Sequence, residues 1–125
     1  MPMSNVIESH KVAGQATTDV TIVVMDEKGP GGAHHVYDVS YDNNGFIGTN
    51  RIMFQKGPVG EVGKNGITCE ALLAIVAHRL QSFQEGDCAC VENQDAIHYT
   101  NLALQALKNR TARRVADLTE GTSQK

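Results

Sequence analysis

ENQDAIHYTNLALQALKNRTARR runs from Glu92 to Arg114 and repeats its core-type residues at helical spacing. The stripe consists of Ile97, Leu104, Leu107, Thr111, Val115 and Leu118. Residues three, four or seven positions apart share one face of an α-helix. The pattern therefore predicts a helix that begins near Val91 and ends before Gly121. At about 1.5 Å per residue this helix is roughly 40 Å long.

A shorter helix is predicted just upstream, over residues 68–84. Thr68 is a good N-cap, and Glu70 lies in the first turn, where the helix dipole favours a carboxylate. The apolar stripe of this helix consists of Leu72, Val76, Leu80 and Phe83. Gly86 is a natural C-terminal breaker. Because only a short connection separates the two helices, we expect an antiparallel helical hairpin.

The N-terminal half has the alternation and turn residues of a β-meander. Asn44-Gly45 supplies the two positive-φ positions of a type I′ turn. This turn pairs Asn43 with Phe46, Tyr41 with Gly48, Tyr37 with Ile52 and His35 with Phe54. The other face of the sheet then carries Asp38 opposite Arg51, which we expect to form an ion pair. A three-stranded antiparallel sheet from about Val20 to Gln55 is predicted, with an additional edge strand around residues 5–7.

These elements predict an α+β fold in one domain that spans residues 1–125. Its parts are a flexible arm or edge strand at 1–17, the meander at 18–56, a glycine-rich loop at 57–67, the helical hairpin at 68–120 and a tail at 121–125. Aromatic residues make up only 5% of the chain, and two helices cannot enclose a core. Three alanines lie on one side of the long helix and permit close approach of another helix there: Ala96, Ala103 and Ala106. We therefore expect a homo-oligomer.

Charge and cysteine content limit the classes of function. The formal net charge is −3, whereas general nucleic-acid binders carry a strongly basic face. The three cysteines, Cys69, Cys88 and Cys90, are odd in number, and no apolar run approaches the roughly 20 residues of a membrane span. We expect a soluble cytosolic protein with reduced, buried thiols that binds neither DNA nor membrane.

The chain has no recognisable catalytic or metal-binding motif. Zinc motifs space their cysteines by two to four residues and contain a second ligand pair, which the Cys88-x-Cys90 pair with His98 and Cys69 does not provide. The His34-His35 pair is expected at the surface. No nucleophile elbow, phosphate loop or deaminase signature is present. We predict a non-enzymatic protein without metal or cofactor.

Two arginines form the most suggestive constellation. Arg110 and Arg114 are four residues apart, so both guanidinium groups lie on one helix face and suit bidentate phosphate contacts. Cations near the end of a helix are also ordinary partners of its dipole. Phe83 is equally a core residue, and Asn93 equally an N-cap or first-turn residue. The residues alone leave these alternatives open.

From Gly57 onward the chain resembles the helical-hairpin domain of small phage proteins. The shared pattern is N-G-[ITV]-x-x-E-A-L-L-x-[IV]-x-x-x-R-L-x-x-F-Q-x-G, then C-x-x-N, A-L-x-x-L-x-x-R-T-x-x-R and E-G. The group includes sponges that capture the cyclic oligonucleotides of CBASS immunity and sponges that disarm Thoeris, which signals through cyclic ADP-ribose isomers. The N-terminal sheet favours the Thoeris anti-defence sponges of the first type.

The resemblance implies a phage or prophage protein in the host bacterial cytoplasm that binds and sequesters cyclic ADP-ribose isomers. It assigns Phe83 to adenine stacking, Asn93 to the base and ribose region, and Arg110 and Arg114 to phosphates. It also implies a dimer-based assembly, such as a hexameric trimer of dimers.

A second anion or cyclic oligonucleotide site is predicted in the glycine-rich loop, at Lys64, Asn65, Gly66 and Thr68. Backbone amides there lie beside a helix N-terminus. Two alternative functions stay open: a sponge mainly for cyclic di- or trinucleotides, and a phage scaffold that oligomerises without binding a ligand.

Overall fold

The computed structural model describes residues 5–14 and 19–119, with side chains of the last helix described up to residue 117. The fold is α+β, as predicted, with an antiparallel sheet followed by helices. The chain divides into two compact units, Met1–Ile67 and Thr68–Lys125. The assignment of residues 1–125 to a single domain stays a prediction.

The first unit is built on a four-stranded antiparallel meander in the order β1-β2-β3-β4. The strands are β1 (Val6–Ile7), β2 (Thr21–Val24), β3 (Val36–Asn43) and β4 (Phe46–Met53). The predicted three-stranded sheet is confirmed, and β1 is the predicted edge strand. Val6 and Ile7 pair with Val23 and Ile22.

The β3–β4 register is the predicted one. Asn43 pairs with Phe46, Tyr41 with Gly48 and Tyr37 with Ile52, and Phe54 N–H donates to the His35 carbonyl (2.8 Å). Asn44 and Gly45 have φ values of 52° and 90°, as a type I′ turn requires. Across the strands, Arg51 donates to both carboxylate oxygens of Asp38 at 2.7 and 2.9 Å.

The predicted surface position of the histidine pair is wrong for His35, of which only 8% is exposed. The carboxylate of Asp26 accepts hydrogen bonds from the backbone N–H groups of His35 (2.9 Å) and Val36 (3.2 Å). These bonds hold the loop after β2 over the start of β3. Sequence spacing gave no indication of them, because Asp26 lies nine residues before His35.

The segment predicted as a glycine-rich loop contains one helical turn, α1 (Val59–Val62). Asn65 anchors the residues after this turn to the end of the sheet: its side-chain amide accepts from Lys56 N and donates to Lys56 O, both at 2.8 Å. Gly66 then passes directly over the backbone just beyond β4. A Cβ atom on Gly66 would lie 2.3 Å from the carbonyl carbon of Phe54.

The second unit is the predicted helical hairpin, formed by α2 (Cys69–Gln84) and α3 (Val91–Thr119). Thr68 caps α2 as predicted, since its hydroxyl accepts from Ala71 N (3.1 Å). Burial is sparse: among the described residues, Ile97 is the only apolar residue that is buried, at 7% exposure. Several large apolar residues stay exposed on the two helices: Ile75, Val76, Val91, Tyr99, Leu102 and Val115.

Replacing Gly66 with alanine should destabilise the first unit. The added methyl group would overlap the backbone of Phe54 and Gln55, and backbone cannot move aside as a flexible side chain can. Overpacking of this kind costs about 1 to 3 kcal/mol. In thermal unfolding followed by circular dichroism, the Tm of Gly66→Ala should fall by about 4 °C or more.

Gly60→Ala is the matched control for this substitution. Gly60 lies in α1 with nothing within 4 Å of an added Cβ, so its Tm should stay equal to that of the natural protein or rise slightly. Equal Tm values for the two variants would contradict the close approach at Gly66.

Candidate functional site

Phe83 and Asn93 lie at the same end of the hairpin, on either side of the inter-helix turn. Phe83 is in the last turn of α2 and Asn93 in the first turn of α3. Gln84 closes the turn between them, since its Oε1 accepts from Cys90 N (2.9 Å) and its Nε2 donates to Gln94 Oε1 (3.3 Å). The hairpin therefore brings the aromatic ring and the amide to one corner.

Asn93 uses part of its hydrogen-bonding capacity within this turn. Its Nδ2 donates to the Cys88 carbonyl (3.2 Å). Its Oδ1 accepts no hydrogen bond from any of the described residues, so an acceptor and the second N–H remain for a ligand. The side chain is half-buried, and the turn holds it in place.

Phe83 is also half-buried. The guanidinium of Arg79, four residues earlier on α2, lies over its ring with Cζ at 5.0 Å from the centroid. One face of the ring is therefore covered by a cation.

Arg110 and Arg114 lie toward the other end of α3. Within residues 5–14 and 19–117, no carboxylate forms an ion pair with either guanidinium. Arg114 is half-buried and Arg110 is exposed. Two cations on one helix face that are not neutralised by such a pair suit a doubly charged ligand such as a pyrophosphate.

Glu70 lies beside Arg110 in this cationic corner. Its carboxylate accepts a hydrogen bond from the Thr111 hydroxyl at 2.5 Å, across the hairpin. This bond is the largest cause of a lowered pKa of Glu70; partial burial opposes it, and the positive charge of Arg110 lowers the pKa further. Glu70 thus joins the start of α2 to α3 beside Arg110 without a direct ion pair.

One hairpin does not assemble all four predicted site residues. Asn93 and Arg110 are separated by about 25 Å along α3 at the rise of an α-helix. Phe83 and Asn93 form one corner, and Arg110 and Arg114 form another. Neither corner alone contains all four predicted site residues.

In the predicted second anion site, the polar side chains take part in local structure. Both amide atoms of Asn65 bind the backbone of Lys56, and the Thr68 hydroxyl caps α2. Lys64 is exposed. The role of Lys64, Asn65, Gly66 and Thr68 in binding an anion stays a prediction.

The expected burial of the thiols is wrong, because Cys69, Cys88 and Cys90 are all exposed and free. The first lies at the start of α2 and the other two lie in the inter-helix turn, where a core residue is not needed. Over the described residues, no three His, Cys, Asp or Glu side chains cluster as metal ligands would. None of the helices in that same part of the chain has the length and apolar character needed to cross a membrane.

Three side chains that contact or hold the residues of the two corners were not predicted from the sequence. They are Arg79, Gln84 and Glu70, the last through its hydrogen bond with Thr111. The i, i+4 spacing of Arg79 and Phe83 was a usable signal. The Glu70–Thr111 bond joins positions 41 residues apart, and its prediction required the relative register of the two helices.

The match to a known family begins in β4 and covers most of the hairpin. The family model for the Acb2/Tad1 hairpin domain matches residues 48–112. The chain belongs to the Acb2/Tad1 hairpin-domain family. The resemblance read from the sequence motifs is thereby confirmed. Phe83, Asn93 and Arg110 lie within the matched region, and Arg114 lies just beyond it.

A curated relative is the protein called Thoeris anti-defense 1 of Bacillus phage SBSphiJ7. It is 46% identical over 74 residues, which are 59% of this chain and 52% of the relative. The chain therefore spans about half the length of that relative.

Glu70→Gln should make the stability of the hairpin depend less on pH in the acidic range. The folded pKa of Glu70 lies below its ordinary value of 4.5. A depressed pKa contributes stability above the unfolded value and loses it as the pH falls through the folded pKa. At pH 7 the Tm of the variant should be about 2 to 5 °C below that of the natural protein. This difference should shrink below pH 4.5 as the natural carboxylate becomes protonated.

Glu92→Gln is the control, because Glu92 is exposed in the first turn of α3 and bonds to no other described side chain across the hairpin. A difference between Glu70→Gln and the natural protein that is constant from pH 7 to pH 3 would exclude the charged form of Glu70 as its source.

Proposed function

We propose that this protein is a phage or prophage anti-defence protein that binds and sequesters cyclic ADP-ribose isomers, the signals of Thoeris immunity. It acts in the cytoplasm of the host bacterium. Membership of the hairpin family carries the proposal, and the phage relative named for Thoeris anti-defence points to this signal class. The two chemically distinct corners of the hairpin supply the contacts such a ligand needs.

Each predicted site residue suits one part of a cyclic ADP-ribose isomer. Phe83 stacks on adenine, a contact worth about 1 to 3 kcal/mol per base. Asn93 presents its unused Oδ1 and N–H to the base or the adjacent ribose, as asparagine does for adenine. Arg110 and Arg114 hold the two phosphates with planar guanidinium groups.

The ligand site is formed between two copies of the chain. Because one helix separates its corners by about 25 Å, a small ligand touches both only if they come from different protomers. An antiparallel pairing of two α3 helices places Phe83 and Asn93 of one protomer beside Arg110 and Arg114 of the other. The midpoint between positions 93 and 110 falls between Asn101 and Leu102, and the midpoint between positions 93 and 114 falls between Ala103 and Leu104.

The surface around Ala103 suits this pairing. Ala96, Tyr99, Ala103 and Ala106 follow one another at spacings of three or four residues, and the same stripe continues into Arg110 and Arg114. Small residues allow two helices to approach closely. Tyr99 is 66% exposed, so a partner helix has apolar area to cover. We propose an antiparallel dimer as the unit of assembly, further associated as a trimer of dimers.

Binding the signal molecule without breaking any of its bonds is sufficient for this function. A nanomolar dissociation constant corresponds to about −12 kcal/mol. Stacking, a base contact and two phosphate contacts in a preformed site reach that range when little ordering is required on binding. We propose that the ligand is held without any catalytic step or cofactor, so heating the loaded protein should release it intact.

Isothermal titration calorimetry with cyclic ADP-ribose isomers and with cyclic di- and trinucleotides tests the proposal against its two alternatives. Tight binding of a cyclic ADP-ribose isomer supports it. Tight binding of cyclic oligonucleotides alone would favour the CBASS sponge, and no response to any nucleotide would favour a scaffold. Mass spectrometry of ligand recovered after heating should show an unchanged mass; a hydrolysed product would indicate an enzyme.

Arg110→Ala and Arg114→Ala should each weaken binding by about tenfold or more while the assembly stays intact. A lost charge-assisted contact to phosphate costs about 1.5 to 3 kcal/mol. Lys108→Ala removes one positive charge from the same helix but from the side away from Arg110 and Arg114, and should change affinity much less. Light scattering should give one particle mass for all four proteins. Equal losses for the three variants would contradict specific phosphate contacts.

A further inference from the structure

Arg79 covers one face of the ring to which adenine stacking is assigned. Its Cζ lies 5.0 Å from the centroid of Phe83. The two residues are four positions apart on α2, so their side chains share one helix face. A guanidinium group at this distance is attracted to the negative face of an aromatic ring.

Arg79 has no competing electrostatic partner in the described part of the chain. No Asp or Glu there lies within ion-pairing distance of its guanidinium. The side chain is itself exposed, and an exposed cation–π pair contributes little to folding. The main effect of the contact is therefore to hold the ring of Phe83 in place.

We propose that Arg79 is a positioning residue of the nucleotide site. Its guanidinium packs against one face of the Phe83 ring, so that the base stacks on the opposite face. The proposal rests on the function proposed above. A ring held in one rotamer before the ligand arrives loses less entropy on binding. Arg79 also closes one of two stacking faces, so each Phe83 accepts a single base.

A different role for Arg79 is direct contact with a phosphate, for which a guanidinium is equally suited. The two roles differ in what they require. A positioning residue acts only through the Phe83 ring, whereas a phosphate ligand acts whether or not the ring is present. They also differ in salt dependence, because only a phosphate contact adds to the screened attraction between protein and ligand.

A double-mutant cycle distinguishes these roles. The natural protein, Arg79→Gln, Phe83→Leu and the double variant are titrated with the cyclic ADP-ribose isomers by calorimetry. Arg79→Gln should weaken binding about two- to fivefold. In the Phe83→Leu background the same change should have no effect, because the ring through which Arg79 acts is gone. Lys28→Gln, which removes an equal charge from the first unit, should bind as the natural protein does.

The salt dependence of the dissociation constant gives a second readout in the presence of Phe83. The slope should be equal for the natural protein and Arg79→Gln. A shallower slope in the variant, losses that add in the double variant, or no loss at all in Arg79→Gln would overturn the positioning role. If the natural protein binds none of the isomers, the proposed function fails, and this result is distinct from a natural protein that binds but is indifferent to Arg79.

Discussion

The helical hairpin leaves much of its apolar surface exposed. In the described part of the chain Ile97 is the only buried apolar residue, while Tyr99 and Leu102 on the same helix are 66% and 55% exposed. Two helices have only one shared seam, so the outer faces of both need a partner or contact water. The stripe of alanines along α3 is the part of this surface that would allow the closest approach of another helix.

The same constraint explains the distribution of chemical groups. A rigid helix of this length keeps Asn93 and Arg110 apart, and the turn network of Gln84 and Asn93 fixes the aromatic corner. At the other corner Glu70 binds Thr111, and neither arginine forms an ion pair with a described carboxylate. An aromatic amide corner and a cationic corner at opposite ends of a helix become one site when two such helices lie antiparallel. In our proposal, pairing provides both the missing apolar contact and the ligand site.

Local chemistry determined which parts of the structure could be predicted. Asn44-Gly45 fixes a turn and, through it, the whole β3–β4 register, and Thr68 fixes the start of α2. These features depend on neighbours a few residues away. The burial of His35 under Asp26, the exposure of the three cysteines and the Glu70–Thr111 bond depend on how distant segments meet. Of the candidate site, the sequence indicated residue types and helix faces, and the family resemblance supplied their roles. The support of Phe83 by Arg79 was missed even though both residues lie on one helix.

A shared site has a property that a site within one chain lacks: two defective copies can complement each other. In a dimer of a Phe83→Ala chain and an Arg110→Ala chain, one pocket carries both substitutions and the other carries none. Calorimetry of the co-expressed, doubly tagged heterodimer should show tight binding of a cyclic ADP-ribose isomer at about half the natural stoichiometry, although each variant alone binds weakly. If the heterodimer binds as weakly as its two parents while the natural protein binds tightly, the site is not built from two chains and the account is wrong.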